Sequence, residues 1–246
     1  MATTTQPDTS RYKIIKFFNK PIVDKVLKLI DYDQLNDGAT TILPKRDKEI
    51  ERRLRALKQN REYGGQEFSD QIYSINGTDF NVDWARYTYP KSMSNILYSS
   101  MRSGDYYKPH IDNSELGHFS TTIFLANPNS YVGGELELFI DGKSQVFKLR
   151  PGYGVIYETG TPHQVKTVTS GERKVLCFWT TSNITDMEDL YSYRGWEAYG
   201  RKHIPRKNEQ FYPTSTEDVA ETLEEFINKK PVQALGEMNK IVRKYL

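Results

Sequence analysis

The chain is 246 residues long, with 34 Lys plus Arg against 32 Asp plus Glu and a net charge of +2, so its bulk charge calls for neither a nucleic acid nor a membrane surface as partner. Its single cysteine, Cys177, excludes an internal disulfide framework and suits a reducing, cytoplasmic compartment. No apolar run reaches the length of about eighteen residues that a bilayer needs, and the polar start of the chain carries no apolar leader.

In chain order, residues 1–11 read as a disordered tail, because Thr, Gln, Pro, Asp and Ser bury too little apolar surface to offset the entropy of ordering. Residues 12–93 read as a helical and β buttress of a single domain. Lys13–Phe18 has strand character. Asn19 can cap a helix whose Ile22, Val23, Val26, Leu27 and Ile30 recur at helical spacing, with Pro21 tolerated in the first turn. Lys48 to Asn60 predicts a second helix with Ile50, Leu54 and Leu57 inward. Its basic residues, from Lys45 and Arg46 through Arg52, Arg53, Arg55 and Lys58 to Arg61, could face phosphates, although interleaved Glu49 and Glu51 fit an ordinary solvated face. From Tyr63 to Pro90, Gly and Asp punctuation predicts short strands and irregular loops.

Residues 94–182 change character. Asn95–Met101, His118–Ala126, Glu135–Ile140, Ser144–Leu149, Tyr153–Glu158, His163–Val168 and Glu172–Thr181 read as short strands, with turns at Asp141-Gly142, Pro151-Gly152 and Ser170-Gly171. Their even spacing without intervening helices predicts a mainly β core with flanking helices, a sandwich or jelly roll. Residues 183–246 read as a loop to Tyr212 and then helices. Thr214 to Glu217 caps a stripe of Val219, Leu223, Phe226 and Ile227, and Leu235, Met238 and Val242 follow Pro231.

The chemistry centres on Tyr107-Lys108-Pro109-His110-Ile111-Asp112. His-x-Asp on an extended segment places an imidazole and a carboxylate on one face, since side chains i and i+2 of a strand point the same way. His163, on a later strand, would complete a two-histidine, one-carboxylate triad that occupies one face of an octahedral ion and leaves other positions open. Arg173 stands ten positions further on. If it faces inward with Val175 and Cys177, its guanidinium needs an anion such as a planar carboxylate; in the competing register Lys174, Leu176 and Phe178 face inward instead.

Further pieces surround these residues: Thr121 to Leu125, the run from Asn127 to Leu136 with Gly133-Gly134-Glu135, Lys148 to Gly152, Pro162-His163-Gln164-Val165, and Gly171-Glu172-Arg173 leading to Phe178-Trp179. Together they resemble the iron(II)/2-oxoglutarate dioxygenases, and most closely the PKHD-type hydroxylases related to prolyl 4-hydroxylases. The resemblance implies a double-stranded β-helix (jelly roll, cupin-like), iron(II) on His110, Asp112 and His163, and a 2-oxoglutarate carboxylate on Arg173. It implies dioxygen as co-substrate, ascorbate as an accessory, and hydroxylation of an amino-acid side chain, prolyl among them, free or in a protein or peptide, or of a small metabolite. Succinate and CO2 would be released. Related halogenases lack the carboxylate ligand, so Asp112 points to hydroxylation. In one respect the chain departs from its relatives. They place a tyrosine on 2-oxoglutarate nine or ten residues before the first ligand, where this chain has Met101 and Ser100, and Tyr98 or Tyr107 would have to substitute. His118 and His203 match no ligand position, and Gly133-Gly134 suits a bulge. A nucleic-acid demethylase of the same superfamily and a non-catalytic metal-binding jelly roll are the alternatives.

Overall fold

The computed structural model describes residues 11–39, 48–76, 81–202 and 231–246. The amino-terminal tail, Lys45, Arg46, His203, the Thr214 cap and the Val219-to-Ile227 stripe lie outside them, as do the side chains of Ile50 and Leu54. Arg11–Ser182 forms one compact unit and Asn183–Leu246 contributes to a second.

The first unit opens as its sequence suggests. Tyr12–Lys16 is strand β1, and Asn19 Oδ1 accepts the Ile22 N–H at 3.1 Å to start helix α1, Lys20–Lys28, which buries Val23 and Val26. Helix α2, Lys48–Leu57, is shorter than expected: Lys58–Gln59 is already a strand, β3. On α2, Glu49 pairs with Arg52 at 2.8 Å and Arg53 at 3.0 Å. The segment from Tyr63 to Pro90 corrects the expectation of loops and short strands, for it contains α3, Gln66–Asn76, and α4, Val82–Thr88. Among the described side chains, the apolar residues that helix α3 buries are Phe68 and Ile72, one i, i+4 pair, too little for a visible stripe. Helix α4 spans barely two turns behind an Asn81 cap. Tertiary packing makes these helices, not propensity.

Two antiparallel sheets follow. The larger runs β1, β12 (Tyr153–Glu158), β8 (Phe119–Phe124), β14 (Val168–Ser182), β6 (Leu97–Arg102), β4 (Arg61–Gly64) and β2 (Asn36–Asp37), with β5 (Pro90–Met93) and β9 (Tyr131–Gly133) also on β14. The smaller runs β11 (Lys143–Phe147), β10 (Leu136–Ile140), β13 (His163–Val165), β7 (Tyr106–His110) and β3. Phe124, Leu138, Val155, Val165 and Val175 form the core between them. Trp84 of α4 packs on Phe178 and Tyr87 on Phe119, at 6.2 and 5.7 Å between rings. The larger sheet is therefore covered on both faces, which is why every residue of β8 is buried.

Ser170-Gly171 is not a turn. Strand β14 runs through it, changing partner from β9 to β6 and β8, and a Cβ at Gly171 would collide with the Ser130 carbonyl oxygen. Pro151-Gly152 does turn: Gly152 has φ 84°, its carbonyl accepts from Phe17 and Phe18 N–H at 2.8 and 3.0 Å, and a Cβ would strike the Phe18 oxygen. Gly152→Ala is expected to lower stability by about 1–3 kcal/mol from the backbone conformation alone, read from the guanidinium denaturation midpoint; an unmoved midpoint would contradict this account of the turn.

In the second unit, Met187–Lys202 is helix α5 and Pro231–Val242 is helix α6, so the described part of the expected loop, residues 183–202, is largely helical. Its tyrosines, Gly195, Gly200 and scattered charges hide the period. On α6 the inward residues are Ala234 and Ile241, whereas Leu235 is 56% exposed. Lys244 Nζ and Tyr245 Oη both bond Asp189, at 2.7 Å each. Among the described residues no helix is long and apolar enough to cross a membrane.

Candidate metal centre

His110 and His163 sit directly opposite one another on β7 and β13. Between His163 and Val165 the register slips, so Tyr107-to-His110 on β7 opposes one residue fewer on β13. Pro109, which has no N–H to give the ladder, falls in this bulge. As a result Tyr107 and His110 face the same side despite their odd spacing, and their rings stack at 3.6 Å. The His110 and His163 rings lie 4.1 Å apart.

Strand β7 ends at His110, so Asp112 does not reach the site by strand alternation as expected. It stands in the following loop and is held from the larger sheet: Trp179 Nε1–H donates to Asp112 Oδ2 at 2.9 Å and the Ser120 hydroxyl donates at 2.8 Å. That leaves Oδ1 turned to the histidines, 3.5 Å from His110 Nε2 and 3.8 Å from His163 Nε2. The ligand atoms of the three residues lie within 4.8 Å of one another.

Backbone carbonyls set the tautomers. His110 Nδ1 is 2.8 Å from the Lys108 oxygen and His163 Nδ1 is 2.9 Å from the Thr161 oxygen. A carbonyl can only accept, so each Nδ1 carries the proton and each Nε2 presents a lone pair inward. His110 Nε2 is buried and, among the described residues, has no hydrogen-bond partner, so its lone pair is available to a metal. Burial pushes the Asp112 carboxyl up, but the closeness of His110 and His163 and the Trp179 and Ser120 hydrogen bonds outweigh it and hold it at about 2. Burial also pushes His163 below its ordinary 6.5, with His110 adding to that and Asp112 and the Thr161 carbonyl opposing it. Two imidazoles presenting lone pairs and one ionised carboxylate suit iron(II).

The His163 shift has a consequence for stability. A histidine harder to protonate folded than unfolded leaves the unfolded state binding more protons, so stability rises with pH through this region. The metal-free protein is expected to lose stability as pH falls below about 6.5, measured as a falling denaturation midpoint, and His163→Gln to flatten that slope. An unchanged slope would refute the assignment.

Arg173, 2% exposed, lines a cavity together with Cys177 while Val175 packs in the core between the sheets, and Lys174 turns away to Glu172 and Tyr32, so the chain does not adopt the register that puts Lys174 inward. Its guanidinium lies 5.5 Å over the Phe124 ring, its Nε is buried without a partner, and among the described residues no carboxylate pairs with it. Burial pulls its pKa down, opposed by the fields of Cys177, Tyr131, Tyr157 and Glu135. Met101 is its register partner on β6. Of the two tyrosine candidates, Tyr107 lines the cavity while Tyr98 does not: Tyr98 is buried on the opposite face of β6, its ring edge-on to Tyr32 at 6.5 Å. Alternation explains the correction, since Ser99 and Met101 take the inner positions of β6. The Cys177 thiol, pushed up to about 11 by burial, touches Thr122 at 3.8 Å. His118 accepts the Ser182 N–H at 3.0 Å, a structural role.

The triad, Tyr107 and Arg173 line one cavity of about 440 Å3 between the sheets. Three residues that the sequence reading left in a helix or a loop line it as well: Lys58, Asn60 and Glu62, at most 5% exposed. Their i, i+2, i+4 spacing was the signal, masked by the helical pattern of α2 running into them.

Residues 96–181 match the family described as the 2OG-Fe(II) oxygenase superfamily. A PKHD-type hydroxylase of Colwellia psychrerythraea is 32% identical over 172 residues, which cover 66% of this chain and 74% of that one. The chain belongs to the PKHD-type hydroxylases of the 2OG-Fe(II) oxygenase superfamily. A second such hydroxylase, from Maricaulis maris, is 43% identical over 106 residues, 41% of this chain and 47% of its own, and the chain spans about half the length of the other curated relatives it matches. A Pseudomonas putida prolyl-4-hydroxylase structure superposes with a TM-score of 0.54 at 17% identity, covering 71% of this hydroxylase and 94% of that chain. A prolyl hydroxylase from Trichoplax adhaerens, in complex with a hypoxia inducible factor oxygen degradation domain peptide fragment, gives 0.52 at 15%, covering 71% and 85%. At these identities the structures establish the shared double-stranded β-helix alone. The family makes this chain an enzyme, a dioxygenase that uses iron(II) and 2-oxoglutarate.

Proposed function

We propose that His110 Nε2, Asp112 Oδ1 and His163 Nε2 hold one iron(II), that Arg173 binds the far carboxylate of 2-oxoglutarate, and that the enzyme hydroxylates an amino-acid side chain, free or within a peptide. The observation that carries this reading is the unpaired, buried Arg173 in the same cavity as the triad. A fixed charge without a counter-charge is costly to bury, and a dicarboxylate with one end on the metal supplies the missing anion. When bound, iron and 2-oxoglutarate supply the oxidising power, as one atom of dioxygen goes to the substrate and the other to succinate while CO2 leaves. The chain's own residues fix the geometry. Trp179 and Ser120 aim Asp112, the Lys108 and Thr161 carbonyls aim the imidazoles, and Leu136, Val165 and Tyr157 present a dry wall around them.

The peptide bound to the Trichoplax relative supports an amino-acid substrate. The basic helix that would favour nucleic acid gives little support, because Arg52 and Arg53 are paired with Glu49 and Lys58 is buried. The test is turnover under 18O2 with candidate amino acids and peptides, followed by mass spectrometry. One labelled oxygen in the product and one equivalent of succinate per product are expected; product formed without 2-oxoglutarate would refute the reading.

A further inference from the structure

The residues that carry the inference are used by neither the metal nor 2-oxoglutarate. Strands β3 and β4 cross from the edge of the smaller sheet, where Lys58 pairs with Tyr107, to the larger, where Glu62 pairs with Ser99 on one side and Asn36 of the edge strand on the other. Alternation sends Lys58, Asn60 and Glu62 inward along this crossing. Lys58 Nζ donates to Glu62 Oε1 at 2.9 Å, and Asn60 Nδ2 donates to the same oxygen at 2.8 Å and to Ser99 Oγ at 2.9 Å. The other carboxylate oxygen, Glu62 Oε2, is buried and has no partner. Lys58 Nζ makes one hydrogen bond of its possible three, and it lies 5.3 Å from the centre of the Tyr107 ring that stacks on His110.

As scaffolding this arrangement makes little sense. A buried ion pair adds little net stability over apolar residues of the same volume, and a dry carboxylate oxygen without a donor is a standing cost. Both are relieved by a ligand that offers an N–H to Glu62 Oε2 and an oxygen to Lys58 Nζ. The charge of that ligand follows from its surroundings. Iron(II), Asp112, Arg173 and doubly charged 2-oxoglutarate cancel, and Lys58 with Glu62 cancel, so a net-charged group buried here would have no counter-charge, and a zwitterionic amino acid, though net-neutral, would have to dehydrate two further full charges that a neutral amide does not carry. Resting on the functional reading above, we propose that the Lys58–Asn60–Glu62 network docks the substrate, and that the group it takes is a neutral amide, the main chain of a peptide-bonded residue. Only the Tyr107 ring separates Lys58 from the ligand His110, so an amide held here keeps the neighbouring side chain within reach of the metal.

The experiment uses the full chain loaded anaerobically with iron(II) and 2-oxoglutarate, whose metal-to-ligand absorption band reports both cosubstrate and substrate. The probes are the N-acetyl methylamides of alanine, proline and lysine, and the free amino acids. At least one amide should shift the wild-type band saturably, and both Glu62→Gln and Lys58→Met should weaken that response tenfold or more. Their affinity for 2-oxoglutarate should stay within about twofold of wild type, since Arg173 and the metal hold it. If a single variant proves unstable, the double variant K58M/E62M, which removes both charges together, should fold and show the same loss. A band blind to every amide, one moved by free amino acids alone, or variants that respond as wild type would each overturn the docking proposal while leaving the oxygenase reading intact. A wild-type protein that forms no band at all overturns both.

Discussion

His163→Ala is expected to abolish turnover and to weaken iron(II) binding by at least about 100-fold, because loss of a mere hydrogen-bonding partner of a ligand already costs about 10–100-fold. His163 Nε2 presents its lone pair to the Asp112 and His110 ligand atoms, and no other imidazole or carboxylate among the described residues stands ready to replace it. His110→Ala should behave alike, its Nε2 being the buried atom without a partner. Neither should unfold the protein. The histidines line a cavity, whereas the apolar core rests on Phe124, Leu138 and Val175. Competition with a chromophoric chelator measures the metal affinity, and circular dichroism checks the fold. Either variant turning over at the wild-type rate with added iron would sink the triad assignment.

Arg173→Ala should weaken 2-oxoglutarate binding by about 2–5 kcal/mol, roughly thirty- to several-thousand-fold, because one charge of a desolvated, bidentate pair is left uncompensated. Iron affinity should hardly change, since the metal ligands lie on other strands. Arg173→Lys should recover only part of the loss, keeping the charge but not the planar fork. Without cosubstrate the effect reverses in sense. Arg173 is 2% exposed with no carboxylate partner among the described residues, so Arg173→Met should leave the thermal midpoint of the cosubstrate-free protein equal or higher. Titration of 2-oxoglutarate into the anaerobic iron protein, followed by its visible band, decides the matter. Equal affinity in wild type and Arg173→Ala would remove Arg173 from the cosubstrate site.

His110, Asp112, His163 and Arg173 were legible as a set because each residue type has few reasons to stand where it does, and because a buried guanidinium needs an anion wherever it sits. The strands of the core were equally legible, since period-two alternation and Gly-marked turns are local properties of the chain. Helices α3, α4 and α5 were not, for their residues are held by what they pack against. One i, i+4 pair in α3 carries no period a reader can see.

The sequence by itself named the candidate donors, through residue type, spacing and the motifs around them, and it marked the core strands along the chain. Which way a donor points was decided only by the tertiary structure. The bulge at Pro109 turns Tyr107 and His110 to one side, Trp179 and Ser120 from two strands of the other sheet aim Asp112, and the inner register of β6 takes Tyr98 out of the cavity and puts Met101 in. The same holds for Lys58, Asn60 and Glu62. In sequence they continue a basic helix, and only the crossing from one sheet to the other, paired to Tyr107 in the first and Ser99 in the second, turns them inward. Strand pairing joins residues about forty positions apart, and no local pattern encodes a hydrogen bond at that range.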